Sequence, residues 1–179
     1  METRMANLII GTPGGTASRN SQTYKLSLPS AWVREMGLSK EAHQLLLSFD
    51  GTQIVVSRRP SFQEFRDAAA AQRHHLLHIS LLEGNSLCSE MLVDDTAQTV
   101  YVQNHTADIL KTPFGNNLTP SWEDYREFLQ TRCIPHSRAG LREYLEALGL
   151  DHYDPLAIIR KTRGRMAEDS LWLKVEEIL

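Results

Sequence analysis

A chain of 179 residues with 41% hydrophobic and 23% charged residues has the composition of an ordinary folded protein, long enough for one domain or two small ones, and not that of a disordered chain. No apolar run reaches the ~18 residues of a membrane span, and the start Met-Glu-Thr-Arg-Met lacks the charged region, apolar stretch and small-residue cleavage site of a secretory signal, so a cytoplasmic location is expected. The net charge of -3 is unevenly spread: residues 1–60 carry seven Lys and Arg against four acids, the remainder 12 against 18, so a basic head that attracts phosphates precedes an acidic body.

Asn7-Leu-Ile-Ile10 predicts a short strand, ended by Gly11-Thr-Pro-Gly-Gly-Thr, whose glycines and proline break regular structure. Thr23-Tyr-Lys-Leu-Ser-Leu28 alternates, with Tyr24, Leu26 and Leu28 on one face and Thr23, Lys25 and Ser27 on the other, as a half-buried strand does. Pro29 suits a helix start, and Ser30 to Met36 reads as about two helical turns with Gly37 as a left-handed cap and Leu38 just beyond it. Two further strand patterns, 42–49 and 52–58, flank Asp50-Gly51, a dipeptide suited to a type I′ hairpin turn. A segment of ~45 to 50 residues without metal or disulfide buries too little apolar surface to fold alone. A second copy must therefore complete its core.

Leu28-Pro-Ser-Ala-Trp-Val-Arg34-Glu-Met36-Gly37-Leu38, followed by a strand, Asp50-Gly51 and Ile54-Val55-Val56, resembles the core of the SpoVT/AbrB and MazE families. The resemblance covers about a third of the chain. It implies a swapped-hairpin β-barrel shared by two chains and acting as a DNA-binding head. The DNA-facing residues would then be Arg19, Asn20, Ser21, Lys25 and Arg34, with Arg and Lys on phosphates and Arg19 and Asn20 able to reach base edges from the loop. Two features depart from the family pattern: the loop from Gly11 to Gln22 is longer and poorer in Lys and Arg, and Trp32 stands where a polar residue is more common.

Beyond the head, Ser61 to Arg73 places Phe62, Phe65 and Ala69 at helical spacing and reads as a linker helix, assigned to 61–74. Leu76 to Leu82, Leu87 to Val93 and Thr99 to Val102 predict an antiparallel meander. A helix then carries Trp122, Tyr125, Phe128 and Leu129. A second, capped by Ser137, turns Leu141, Tyr144, Leu145 and Leu148 inward, and a third, capped by Asp154-Pro155, runs through Ile158 and Ile159 to Gly164. The expected fold class is α+β: a homodimeric swapped-hairpin barrel over residues 1–60, a linker helix, and an α+β domain over 75–179 with a meander and a helical cluster. Residues Trp122 to Trp172 are similar to an uncharacterised module of gut Firmicutes associated with mobile-element genes near HipA-like kinases, which implies no known chemistry.

Few residues suggest chemistry. His74 and His78 would share a helix face as metal ligands, but the run beginning there reads as a strand and lacks the Glu of HExxH. Gly11-Thr-Pro-Gly-Gly-Thr has no following Gly-Lys-Ser/Thr, and Asp94-Asp95 and Glu168-Asp169 have nothing to complete a catalytic set. Cys88 and Cys133 are in no CxxC spacing and indicate neither zinc nor disulfide. No cofactor and no enzymatic activity are expected. Arg132, Arg138, Arg160, Arg163 and Arg165 form a basic cluster suited to an acidic partner or more DNA, or to pairing with Glu143, Glu146, Asp151 and Asp154. Two functions fit: a homodimeric repressor of a double-stranded DNA operator, as an autoregulating antitoxin whose second domain holds a toxin or other protein; or a dimeric inhibitor or mobile-element accessory protein whose head only dimerises.

Overall fold

In the first third of the chain the alternating patterns form two antiparallel hairpins. The computed structural model describes residues 2–12, 22–40, 43 and 45–178, and its contacts divide the chain into two units, Met1–Arg59 and Pro60–Leu179. Strand β1 (Leu8–Gly11) pairs with β2 (Thr23–Leu26), Leu8 opposite Leu26 and Ile10 opposite Tyr24. Because side chains alternate along a strand, Leu8, Ile10, Tyr24 and Leu26 share one face, while Ile9, Thr23 and Lys25 share the other. Helix α1 (Ser30–Glu35) follows Pro29. It ends as the sequence reading has it: Gly37 is left-handed, its N–H donates to Arg34, and Leu38 donates back to Val33.

Strands β3 (Leu45–Phe49) and β4 (Ile54–Arg58) form the second hairpin, with Leu47 opposite Val56 and Phe49 opposite Ile54. Its turn differs from the type I′ expectation. Phe49 pairs with Ile54, so residues 50–53 all lie in the loop, and of these only Gly51 has positive φ. The Asp50 carboxylate explains the wider turn, since it accepts from the N–H groups of Thr52 and Gln53 at 2.9 Å each. The hairpins are separate two-stranded sheets, and neither closes into a barrel. None of the described residues before Pro60 is buried.

The second unit is built on a sheet. Strands β5 (Leu76–Glu83), β6 (Ser86–Asp94) and β7 (Thr99–Asn104) form the meander. A fourth strand, β8 (Leu171–Glu177), lies along the free side of β5, giving the antiparallel order β7-β6-β5-β8. The reading of the sequence assigned no element there. One sheet face, with Leu77, Ile79, Leu81, Met91, Val93, Val102, Leu171 and Leu173, is covered by Tyr125 and Leu129 of α3 (Trp122–Thr131) and by Ile159 of α5 (Pro155–Thr162). The opposite face receives α2 (Phe62–Ala71), whose Phe62, Phe65 and Ala69 pack with Leu76, Leu92 and Tyr101.

Helix α2 is thus a layer of the second unit and not a linker. A connector in water has no use for an apolar stripe, and the Phe62, Phe65 and Ala69 stripe finds the sheet. Helix α4 (Leu141–Leu148) gathers with Cys133 and Ile158 into a smaller cluster. Its N-cap is left-handed Gly140, with no side-chain cap, and not the expected Ser137. Asp154 does cap α5, accepting from Leu156 and Ala157. Among the described residues no helix is long and apolar enough to cross a membrane.

Candidate nucleic-acid and partner interfaces

The sequence-predicted DNA contacts divide by position. Arg19, Asn20 and Ser21 lie outside the described residues. Lys25 sits in β2 opposite Ile9, exposed on the polar face of its hairpin beside Thr23, whose hydroxyl donates to the Gly11 carbonyl. Arg34 is exposed in the last turn of α1, where a cation also favours the helix C-terminus. Neither makes an ion pair among the described residues.

Many large apolar side chains of this unit are exposed. Ile10 is 60% exposed, Leu47 65%, Phe49 70% and Ile54 68%. Ile10 belongs to the Leu8, Ile10, Tyr24, Leu26 face, and the other three to the Leu45, Leu47, Phe49, Ile54, Val56 face, which Arg58 closes opposite Leu45. Soluble monomers rarely expose such contiguous apolar faces.

The five arginines singled out in the second unit stand in four different settings. Arg132 is 6% exposed. Its Nε donates to the Gly164 carbonyl at 3.0 Å, its Nη2 to the Leu171 carbonyl at 2.9 Å, and both terminal nitrogens engage the Asp169 carboxylate. It fastens the end of α3 to the start of β8 and is not available to a partner. The bond from Arg132 holds Asp169 below its ordinary pKa. Arg138 is exposed in the turn before α4. Arg160 pairs with Glu177 at 2.7 Å, so its intradomain carboxylate is on β8 and not among the four acids expected.

Arg163 and Arg165 hold their guanidinium carbons 5.5 and 5.6 Å from the Trp172 ring centre. The Trp172 indole N–H donates to the Gly84 carbonyl at 2.8 Å, which fixes the ring. A cleft of about 560 Å³ opens between α5 and β8, lined by Arg160, Arg163, Trp172, Lys174, Val175 and Glu177 among others. Trp172, Lys174 and the strand carrying them were missed as functional candidates. The alternation of Leu171, Leu173 and Val175 with Trp172, Lys174 and Glu176 was the available signal.

The histidines of the second unit's sheet pair with carboxylates. His74 lies 2.7 Å from the buried Asp94, whose second oxygen accepts from Ala97, so Asp94 serves the β6–β7 turn. His78 and His105 both hydrogen-bond Glu90, at 3.0 and 2.8 Å. Among the described residues no group of three or more His, Cys, Asp or Glu is arranged to hold a metal ion. Burial raises the Cys133 thiol pKa, which keeps it protonated and a poor nucleophile. Comparison of the chain with family models, with curated proteins and with solved structures gave no match.

Proposed function

We propose that the protein is a homodimeric DNA-binding transcriptional repressor. In this reading the head closes a swapped-hairpin barrel of the SpoVT/AbrB and MazE type with a second copy, and the second unit engages a protein, as in an autoregulating antitoxin. The observation that carries it is the head without a single buried described residue. Two hairpins with largely apolar faces turned to water are marginal structures, since an isolated two-stranded hairpin is barely stable. Facing those of a second copy, the same side chains make a core.

Association leaves the polar face of β1–β2 outside. Lys25 and Arg34, with Arg19, Asn20 and Ser21 of the loop, supply the charge and hydrogen bonds for a duplex. The head's balance of +3 and the body's of -6 favour phosphate at one end of the chain. Selection of bound genomic fragments by the purified protein, followed by titration of the selected duplex at rising salt, tests the reading. Binding through several Lys and Arg weakens steeply with salt. A protein that dimerises and selects no duplex at low salt refutes it.

The apolar faces alone favour a second reading, because they call for association and say nothing of DNA. A head that only dimerises, with the second unit acting as an inhibitor, accounts for them equally. The same titration separates the two.

A further inference from the structure

Strand β8 is a sheet edge with an unusual surround. The Leu173 N–H turns away from β5 and donates to the Arg163 carbonyl at 2.7 Å, whereas the Ile178 N–H turns inward to Leu76. In an antiparallel strand the backbone groups of alternate residues point to the same side, so Val175 and Glu177 also point outward. Among the described residues their N–H groups, and the Val175 carbonyl, have no backbone partner. The edge is thus closed at Leu173 by the turn after α5 and open beyond it. The open part borders the cleft of about 560 Å³.

The lining of that cleft is cationic. Among the described residues neither Arg163, which lines it, nor the neighbouring Arg165 has a carboxylate partner, and both guanidiniums lie over the Trp172 ring. Arg160 and Lys174 do have partners, Glu177 and Glu176, at 2.7 Å each. These pairs are largely exposed, and exchanging one carboxylate for another costs little there. A short unpaired edge with cations around it offers main-chain hydrogen bonds for affinity and charge for selection.

We propose that the α5–β8 cleft docks an extended acidic segment of a partner protein, which adds a short strand to β8 at Val175 and sets its carboxylates against Arg160, Arg163 and Lys174. This rests on the reading of the second unit as the part that engages a protein, and it names the place and the chemistry. A single-stranded nucleic acid also suits arginine and tryptophan, but it has no use for the open N–H and C=O groups of β8, and the unit is acidic as a whole.

The test uses the full chain and fluorescein-labelled peptides: acetylated (Glu-Val)4, (Lys-Val)4 and (Glu-Pro)4, with a labelled oligothymidylate as the nucleic-acid probe. Saturable anisotropy is expected for (Glu-Val)4 alone, since (Lys-Val)4 has the wrong charge and (Glu-Pro)4 lacks half the backbone donors. The double variant Arg163→Glu/Lys174→Glu should weaken it at least tenfold. Hydrogen exchange on the wild type gives a readout that needs no variant: the Val175 and Glu177 amides should slow when the peptide saturates. No saturable binding of (Glu-Val)4 at millimolar concentration, equal binding of (Glu-Pro)4, preference for oligothymidylate, or unchanged exchange at Val175 each overturns the proposal. Failure here with salt-dependent duplex binding intact rejects the cleft alone, whereas peptide binding without duplex binding rejects the repressor reading alone.

Discussion

Replacing Phe49 and Ile54 together by serine separates a monomeric head from a shared one. The two side chains stand opposite each other across β3–β4, 70% and 68% exposed. In an isolated chain the change removes almost no buried area, and substitutions of that kind stay within about 0.5 kcal/mol each. In a two-fold dimer that encloses this face, roughly two thirds of each side chain passes from water into a core, worth roughly 1–2 kcal/mol per residue. Four such side chains per dimer amount to about 4–8 kcal/mol, or about three to six orders of magnitude in the dissociation constant. Sedimentation velocity across a concentration series reads this directly, and melting checks it, since a dimer that unfolds as it dissociates has a Tm that rises with concentration. The wild type should be dimeric at micromolar concentration and the variant monomeric. A wild type that sediments as a folded monomer with a concentration-independent Tm, or a variant with the wild-type dissociation constant, refutes the reasoning.

Arg19→Ala and Lys25→Ala should each weaken duplex binding and lower the salt slope by about 0.9 per lost phosphate contact while leaving the dimer intact, with Arg34→Ala the third of the set; two unchanged slopes would move the DNA-facing surface elsewhere. Arg132→Leu strands the Gly164 and Leu171 carbonyls and the Asp169 carboxylate, and denaturant unfolding should show a loss of roughly 2–4 kcal/mol, discounted because Asp169 is partly in water. Gly164→Ala puts a side chain at φ +56 and its Cβ 3.2 Å from Leu173 Cδ1, so a loss of about 1–2 kcal/mol is expected, and an unchanged melting curve would mean the turn after α5 relaxes freely. The Gln53 and then the Thr52 N–H group hold Asp50 at a pKa of about 2, below the ordinary 3.8; a depressed carboxylate stabilises the fold above its unfolded value, so the hairpin contribution is present above about pH 4 and lost as pH falls toward 2. An NMR titration placing Asp50 near 3.8 would remove that turn.

What was legible in the sequence was local. Alternation on both sides of Asp50-Gly51 marks the β3–β4 hairpin, Gly37-Leu38 marks the end of α1, and Asp154-Pro155 marks the start of α5, because each signal is completed within a few residues. The strand β8 alternates as clearly as β5, but its partner is far back in the chain, and Trp172 reaches Gly84 across 88 residues. Local pattern cannot choose among distant strands. The arginines make the same point. Arg132 and Arg163 look alike in sequence, yet the carboxylate that buries one is 37 residues downstream, and the tryptophan that orders the other sits on the unassigned strand.

The two units also differ in how far one chain satisfies itself. In the second, a sheet is covered on both faces, and among the described residues no buried side-chain nitrogen or oxygen lacks a hydrogen-bond partner. In the head no described side chain is buried, so in the proposed reading a second copy completes its core and the DNA-facing surface exists only where chains have met. At concentrations well below the dimer dissociation constant the amount of competent head grows as the square of the chain concentration. In the proposed reading a repressor of its own gene built this way stays silent at low abundance and closes its operator over a narrow range, with the sharpness set by the association that Leu47, Phe49 and Ile54 drive and not by a contact to DNA.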